Sequence, residues 1–435
     1  MAAELTELRL PSFKSVRDTR IPISPLTLIV GRNGSGKSNI LDGLAVLAAL
    51  AQGGDLRDAL DGGRDGPVVR GGSEGCAPLG EDSFKIGCTA VDGDLVVNLD
   101  VEIQTAPSLQ ISSERLWARR TAGVRKGEAL DYLKTEPASA YSADIVARWE
   151  NSKRGLNPPV TFRATQLLTS QVPIRVPATS QAGRKVHDAA ALVLAAISGI
   201  FILDPIPHQM REYVPERDSR LRRNAENLSA TLARLLKEDE LRQTLLSMTQ
   251  SLSEAQVSNL ASVTSELGDV MVTIEEQIGG ARRPVPARLM SDGTLRFLAI
   301  AAAMLDVPEE GEGPFSEAGR VLVVEELENG LHPSQAALLL DRLKSSAKER
   351  GVRTVATTHS PAILDALSGS DHSSVVVASR DGEGWSRVTR LVDFPDYFEV
   401  VGRASLGSTA TTDKLRPGKV DQDKVERTLA SIFGD

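Results

Sequence analysis

The sequence predicts an α/β fold with a mixed, largely parallel sheet core, an antiparallel β lobe and an inserted helical lobe. First, the apolar run 26–30 leads into a glycine-rich loop and then into a segment with helical periodicity. Second, the β-rich runs 321–324 and 353–357 flank the helical segment 334–350, which is the β-α-β pattern of parallel strands. Third, an Asp-Gly turn joins two alternating strands within 84–104. At roughly 150 residues per domain, a chain of 435 residues then has two or three lobes.

The composition limits the classes of function. The chain has 50 Lys and Arg against 58 Asp and Glu, a formal charge of -8, so any nucleic-acid surface would have to be a local patch. Cys76 and Cys88 cannot form a disulfide framework and lack the spacing of a zinc site. No segment approaches the ~20 apolar residues of a membrane-spanning helix, and the first residues, MAAELTELRL, do not resemble a secretory signal. We therefore expect a cytoplasmic protein without a membrane partner.

The loop after the first apolar strand carries the strongest chemical signal. Residues 31–38, GRNGSGKS, have the spacing G-x-x-x-x-G-K-S. Glycines let backbone amides wrap a phosphate, and the helix that follows directs its positive end at the same anion. Lys37 would reach the β- and γ-phosphates, and Ser38 would ligate magnesium. The cofactors indicated are ATP and Mg²⁺, and the predicted binding residues are Gly31, Asn33, Gly34, Ser35, Gly36, Lys37, Ser38 and Asn39.

The segment 115–159 is polar and lacks clear periodicity, so we expect it to be irregular. It begins with a cluster of basic residues, namely Arg115, Arg119, Arg120, Arg125 and Lys126. Such a cluster is more often a solvated surface, and a DNA-binding patch is the alternative.

The middle of the chain predicts the helical lobe. The apolar segment 187–203 indicates a buried helix leading into a strand, and 224–266 has leucines at helical spacing, typical of one or two amphipathic helices. A strand-like run follows at 269–275. We therefore divide the chain into three parts: 1–200, with the glycine loop and the β subdomain; 201–288, the helical insertion; and 289–435, the remainder of the core.

The apolar run 321–324 ends in two adjacent carboxylates, Glu325 and Glu326. A buried parallel strand delivers such acids to the edge of the sheet where ligands bind in open α/β folds. Glu325 then suits the magnesium shell, and Glu326 suits the base that activates the attacking water. An exposed acidic turn is the simpler alternative.

The segment 289–296 opens a helix that Ser291 can cap, and the glycine nearby, Gly293, favours an anion site there. Taken alone, it is equally well a capped core helix. The strand 353–357 is followed by His359, which can reach a γ-phosphate from the same sheet edge as Glu326. A structural histidine is the alternative.

Taken in order, these elements resemble the ABC-type ATPase head of the RecF, SMC and overcoming-lysogenization-defect (OLD) ATPases. The matching strings are FKS at 13–15, GRNGSGKSN at 31–39, LMSDGTLRF at 289–297, VEELENGLHP at 324–333 and TTHSP at 357–361. They are similar to that family's opening strand, Walker A, signature, Walker B with D-loop, and H-loop. The stretch 204–236 also resembles small prokaryotic AAA-type ATPases related to OLD proteins.

The resemblance implies a P-loop ATPase head that dimerises around two ATP molecules. Each nucleotide would be bound by the Walker A of one subunit and the signature of the other, so Ser291 and Gly293 would act in trans. The catalytic residues implied are Lys37, Glu326 and His359, and the metal ligands implied are Ser38 and Glu325.

Several positions depart from the common pattern of this group. The signature has Ser-Asp-Gly-Thr, which favours the RecF and OLD side over transporters. Glu325 stands where many relatives have Asp, and Leu327 stands where Pro is common. Gln104 and Gln110 are glutamine-loop candidates by position only. No long heptad repeat is present, which argues against a full SMC protein.

We expect an ATPase whose ATP-dependent dimerisation drives or gates a partner effector or a DNA transaction, in anti-phage defence or genome maintenance. The alternative is a nucleotide-sensing scaffold with slow turnover that sequesters a toxin or nuclease. The chain after His359 is too short for the Toprim nuclease of OLD proteins, so the expected effector is separately encoded. We also expect a homodimer or higher homo-oligomer, and DNA is a further candidate partner.

Overall fold

A computed structural model describes residues 3–62, 69–119, 127–137, 142–252, 256–306, 319–330, 332–395, 397–403 and 405–411. Its strands are β1 (Glu4–Phe13), β2 (Val16–Pro22), β3 (Leu26–Val30), β4 (Ser83–Asp92), β5 (Leu95–Gln104), β6 (Gln110–Arg119), β7 (Ala129–Thr135), β8 (Asp144–Trp149), β9 (Pro159–Arg163), β10 (Ile200–Leu203), β11 (Val214–Pro215), β12 (Val257–Thr264), β13 (Asp269–Ile278), β14 (Ala281–Pro286), β15 (Arg320–Val324), β16 (Val352–Thr358), β17 (Val375–Arg380) and β18 (Ser386–Arg390). Its helices are α1 (Lys37–Ala51), α2 (Leu56–Asp61), α3 (Leu168–Arg175), α4 (Gln181–Ser198), α5 (Leu228–Leu235), α6 (Asp239–Leu252), α7 (Asp292–Leu305), α8 (Ala336–Arg350), α9 (Pro361–Asp365), α10 (Tyr397–Arg403) and α11 (Leu406–Thr411).

A 14-stranded mixed sheet runs through the described part of the chain. Its strand order is β10-β15-β16-β3-β17-β18-β2-β1-β4-β5-β6-β7-β8-β9. The first five strands are parallel to one another. β17 and β18 are antiparallel, and β18 and β2 are parallel. From β2 to β9 every neighbouring pair is antiparallel. The predicted class is therefore confirmed: a mixed α/β fold whose parallel core continues into an antiparallel β lobe.

Helices cover both faces of the parallel core. Ile29 of β3 and Val323 of β15 pack in one apolar cluster with α1 and α4, whereas Leu28 and Leu322 pack in a second cluster with α7 and α8. Successive residues of a strand point to opposite faces, so a strand covered on both sides must be apolar throughout. This is why β3 and β15 are apolar in the sequence apart from Arg320, at the start of β15, and Thr27, whose buried hydroxyl donates to the carbonyl of Pro22 at 2.9 Å.

The parallel register brings the functional loops to one edge of the sheet. Val324 of β15 lies opposite Leu203 of β10 and Ala356 of β16, and Thr358 of β16 lies opposite Val30 of β3. These strands therefore end at nearly the same level. The glycine loop, the acidic pair and the loop with His359 all leave the sheet at this carboxyl edge.

The lobe predicted to be helical is a mixed unit. The helix and strand expected within 187–203 form as α4 and β10, but β10 belongs to the main sheet. The helices α5 and α6 also form, whereas 257–264, which the sequence analysis assigned to a helix, is strand β12. It pairs with β13, which β11 and β14 also join, in a small four-stranded sheet within the described residues. Pairing with β13 buries Val257 and Leu260 and outweighs the local helical pattern.

The segment 115–159, expected to be irregular, instead supplies strands that extend the β lobe. Its polar character comes from ion pairs across the sheet: Arg115 bonds Asp131 at 2.6 Å, and Arg148 bonds Glu136 at 2.6 Å. Charged pairs on a solvated face replace the apolar alternation that sequence patterns detect. Arg120, Arg125 and Lys126 lie outside the described residues.

The longest helix in the described ranges is α4, with 18 residues. No helix of these ranges is both long enough and apolar enough to cross a bilayer. Cys76 and Cys88 are both buried and both free thiols.

Candidate nucleotide-binding site

The glycine loop joins the buried strand β3 to the largely buried helix α1. All five residues of β3 are buried, and α1 begins directly at Lys37. Gly36 has φ 101°, and a Cβ at this position would lie 2.2 Å from Ser386 Oγ, so only glycine fits. The loop therefore presents its amides and the positive end of a 15-residue helix to an anion.

Neighbouring strands hold this loop from outside. Asn39 Nδ2 donates to Ser15 Oγ at 2.8 Å, and the hydroxyls of Ser15 and Ser386 lie 2.8 Å apart. Arg380 Nε donates to the carbonyl of Gly34 at 2.8 Å. The FKS string thus has a physical role, because its serine ties the turn between β1 and β2 to the start of α1.

Lys37 is folded back over the loop. Its Nζ donates to the carbonyl oxygens of Gly31 and Arg32, each at 2.9 Å. Burial lowers the pKa of Lys37 from its usual value. Three nearby carboxylates act on that pKa in the opposite direction, those of Glu326, Glu325 and Glu328. The loop therefore holds a cation that has acidic neighbours and two replaceable neutral acceptors.

The predicted magnesium ligands Ser38 and Glu325 are in direct contact. Ser38 Oγ donates to one carboxylate oxygen of Glu325, and Arg70 donates to the other. Lys14, paired with Asp42 at 2.7 Å, also donates to the carbonyl of Arg70 at 2.7 Å and fixes that backbone. Sequence analysis missed Arg70, because it lies in a glycine-rich connection without periodicity.

The pair Ser38 and Glu325 fits a magnesium ion. Hydroxyl and carboxylate oxygens are hard ligands, and proteins usually bind Mg²⁺ through one or two such groups together with phosphate oxygens and water. The guanidinium of Arg70 on the same carboxylate shows that this position already favours positive charge. When bound, the metal would neutralise charge on the nucleotide phosphates.

Glu326 has an unusual backbone conformation at the end of β15. Its φ is 52°, a left-handed conformation that costs about 1–2 kcal/mol for a residue with a Cβ. The amide of Glu326 donates to Thr357 Oγ1 at 2.8 Å, and its carboxylate accepts from Asn329 Nδ2. Strain of this kind persists where neighbouring structure enforces it and is concentrated at functional sites. The exposed carboxylate of Glu326 is accessible to water.

His359 follows β16 and is anchored by a third acid. Its backbone amide donates to Glu328 Oε1 at 2.5 Å. Burial lowers the pKa of His359, and Lys37 lowers it further, while Glu328 and Glu326 oppose the shift. Among the residues described, Glu328 Oε2 is buried without a hydrogen-bond partner. The prediction omitted Glu328, although an acid two residues beyond Glu326 in the same loop was an available signal.

Asp204 leaves the sheet beside Glu325, because β10 and β15 are parallel neighbours in register. No motif in the sequence identified Asp204 as a residue of the site. The glutamine-loop candidates lie elsewhere: Gln104 ends β5 and Gln110 begins β6, and Gln110 Nε2 donates to Gln104 Oε1 at 3.2 Å. Position along the chain was a poor guide here, since strand register decides which residues reach the carboxyl edge.

The signature motif opens α7, as predicted. Ser291 Oγ accepts from the Thr294 amide at 3.1 Å and caps the helix. A Cβ on Gly293 would lie 2.0 Å from the carbonyl oxygen of Gly330, so the start of α7 packs on the loop that follows the acidic strand. Within the described residues, neither Ser291 nor Gly293 hydrogen bonds to the glycine loop of its own chain.

A known protein family matches most of the chain. The family model described as "AAA domain, putative AbiEii toxin, Type IV TA system" matches residues 26–365. That range includes the glycine loop, the signature motif, the acidic strand and His359. The chain belongs to this AAA-domain family.

Solved structures similar to this AAA-domain protein include SMC heads and RecF. An SMC head bound to the C-winged helix domain of ScpA is 14% identical, with a TM-score of 0.47 over 89% of this chain and 97% of that chain. The SMC head domain from Thermotoga maritima is 14% identical, with a TM-score of 0.41 over 89% and 98%. The recombination mediator RecF with ATP is 11% identical, with a TM-score of 0.37 over 82% and 92%. Family membership therefore rests on the match over 26–365.

Proposed function

We propose that this AAA-domain protein binds and hydrolyses ATP with Mg²⁺, and that two copies close around two nucleotides to drive or gate a partner effector or a DNA transaction. One observation carries the proposal: the glycine loop, the pair of Ser38 and Glu325, and Glu326 with its strained backbone converge at one edge of the sheet. A family match that spans all of these motifs supports it.

Binding of a triphosphate would exchange the partners of Lys37. Its ammonium would leave the carbonyls of Gly31 and Arg32 for phosphate oxygens, which are charged acceptors and therefore form stronger hydrogen bonds. The loop amides and the first turn of α1 would donate to the same phosphates. Ser38 and Glu325 would hold the magnesium ion.

Hydrolysis is assigned to Glu326. Its amide is fixed to Thr357 and its carboxylate to Asn329, so the group is oriented before a water arrives. It would accept the proton of the attacking water. His359, whose lowered pKa favours the neutral imidazole at neutral pH, would donate to a γ-phosphate oxygen while Glu328 holds its backbone.

Dimerisation is inferred from the signature motif. Ser291 caps its own helix through the Thr294 amide, and Gly293 packs on Gly330. Among the described residues, neither one hydrogen bonds to the glycine loop of the same chain. The capped start of α7 is an anion site. We assign it to the γ-phosphate of a nucleotide bound by a second copy, so that a complete site needs both chains.

The variant Glu326→Gln tests this mechanism. It keeps size and hydrogen bonding but removes the charge and the basic lone pair. Nucleotide binding should persist, and hydrolysis should fall by roughly 10²- to 10⁴-fold. Light scattering should then detect a dimer that accumulates only with Mg-ATP, and adding Ser291→Arg should abolish it. Full turnover in Glu326→Gln, or a monomer under every condition, would contradict the proposal.

The second candidate is a nucleotide-sensing scaffold that sequesters a toxin or nuclease and turns over slowly. The description of the matched family, which names a toxin and a type IV toxin and antitoxin system, favours keeping it. Anti-phage defence or genome maintenance would suit either candidate. Turnover measured with and without a copurified partner, and with and without DNA, separates the two: the scaffold should stay slow in every case.

A further inference from the structure

Arg211 lies in the connection between β10 and β11, directly against the signature motif. Its Nη2 donates to the carbonyl oxygen of Met290 at 2.8 Å and to Asp292 Oδ1 at 2.7 Å. These two acceptors flank Ser291. One guanidinium therefore holds the chain on both sides of the residue that we assign to the nucleotide of the second copy.

This contact constrains orientation more than it stabilises the fold. The side chain of Asp292 is 68% exposed, and an ion pair with one exposed member contributes little to the stability of the fold. Met290, by contrast, is buried, and a charge-assisted bond to its carbonyl fixes the plane of the peptide that precedes Ser291. Next to Arg211, Glu212 pairs with Arg288 at 3.3 Å, which joins the same two segments a second time.

The connection that carries Arg211 begins beside Glu325, one of the proposed metal ligands. It leaves the sheet at Asp204, beside Glu325, and its buried residue Met210 packs in the cluster that includes β15 and α7. Seven residues thus separate the strand end at the metal side from the guanidinium at the signature.

We propose that Arg211 is a positioning residue that holds the loop 290–292 so that Ser291 and Gly293 meet the nucleotide bound by a second copy. This inference rests on the proposed function. Arg211 contacts the signature motif of its own chain, so its loss leaves the glycine loop intact. A variant that lacks Arg211 should therefore keep its affinity for nucleotide but lose dimerisation and turnover.

The first experiment compares Arg211→Ala with Arg217→Ala, an exposed arginine that follows β11. Arg211→Ala should bind ATP as the wild type does but lose turnover by roughly 10- to 100-fold, the usual scale for removing a group that orients another. Arg211→Lys, with a point charge in place of a planar fork, should recover part of the loss. Arg217→Ala should behave as wild type. Equal losses of nucleotide affinity and melting temperature in Arg211→Ala would overturn the proposal, because they would indicate a folding role.

The second experiment mixes variants. In a mixed dimer of Lys37→Ala and Arg211→Ala, one site combines an intact glycine loop from the Arg211→Ala chain with an intact signature from the other chain, so activity should rise on mixing. The pair Lys37→Ala and Ser291→Arg tests the shared site itself. If this second pair regains activity and the Arg211 pair does not, the inference about Arg211 is wrong and the proposed function stands. If neither pair regains activity, the shared site is refuted and the inference fails with it.

Discussion

The ammonium of Lys37 bonds to neutral carbonyl oxygens, and under the proposed function it would exchange them for charged phosphate oxygens. The loop carbonyls of Gly31 and Arg32 hold it in the structure described, and burial lowers its pKa. Because neutral carbonyls bind a cation less strongly than phosphate oxygens do, this arrangement keeps the side chain in place without competing strongly with a nucleotide. The residue is preorganised for its anion.

The variant Lys37→Ala should abolish ATP binding. It removes the fixed cation that faces the β- and γ-phosphates, and the remaining loop amides are neutral donors. Titration calorimetry with Mg-ATP measures the effect, and Lys185→Ala, which removes an exposed lysine of α4, is the matched control. Undiminished affinity in Lys37→Ala would show that the site is assigned to the wrong residues.

The residues at the candidate site fall into two groups, those that belong to a short sequence motif and those that only the fold brings there. Glycine spacing, an acidic strand end and a histidine after a strand are short strings, so sequence analysis found the glycine loop, Glu325, Glu326 and His359. Other residues reach the site through strand register or through loops that fold back, and no short string marks them: Arg70, Asp204 and Arg211. Glu328 is intermediate between these two groups. It lies within the string 324–333, but its hydrogen bond to the amide of His359 could be found only from the fold.

Elements buried on both faces were the easiest to predict. The unit of β15, α8 and β16 and the unit of β3 and α1 have long apolar runs and short connections. Strands with one solvated face were harder to predict from the sequence. Ion pairs and partner strands stabilise them, and neither leaves a regular pattern of apolar residues along the chain. β12 is an example, since its place depends on pairing with β13.

The start of helix α3 rests on a buried carboxyl group from β6. Glu114 is fully buried and accepts hydrogen bonds from the amides of Leu168 at 2.7 Å and Thr169 at 2.6 Å. Burial raises the pKa of Glu114 to about 7, although these hydrogen bonds act to lower it. The folded protein therefore retains this proton at a pH where the unfolded chain has released it.

It follows that Glu114 should make stability decrease as pH rises. Its contribution is complete below the unfolded pKa near 4.5 and is lost as pH passes through the folded value of about 7. The shift corresponds to about 3 kcal/mol in the free energy of unfolding. Urea denaturation near pH 5 and near pH 8 should show a smaller decrease for Glu114→Gln than for wild type, whatever its absolute stability. Glu74→Gln, at an exposed site, should retain the full decrease; the same slope in all three proteins would rule out this role for Glu114.

Over the whole molecule, the charge of -8 leaves only local surfaces for a polyanion. Arg119 is exposed at the end of β6, 5.9 Å from the ring of Trp117. Arg222 is already compensated, because it pairs with Asp218 at 2.8 Å and with Glu226. Fixed acidic partners of this kind reduce the attraction of an arginine for phosphate.

We predict that any DNA binding by this protein is modest and electrostatic. The arginines expected to contribute are Arg119, Arg222, Arg223 and Arg120, of which Arg120 lies outside the described residues. Each phosphate contact releases counterions, so affinity should fall steeply between roughly 50 and 200 mM salt. Fluorescence anisotropy should show that Arg119→Ala reduces the slope of log affinity against log salt by about 1. A salt-independent or strongly sequence-specific interaction would be incompatible with this prediction, and no binding at all would favour the scaffold candidate.

Under the proposed function, the ion pair between Arg70 and Glu325 would affect the order in which metal and nucleotide bind. Because Glu325 already has an internal counterion, a divalent ion entering alone would replace one cation by another, with little net gain in electrostatic energy. A metal that arrives on a triphosphate brings further oxygen ligands and makes the exchange favourable. Under the proposed function, free magnesium would leave the resting protein largely unchanged, and metal and nucleotide would enter together as one complex.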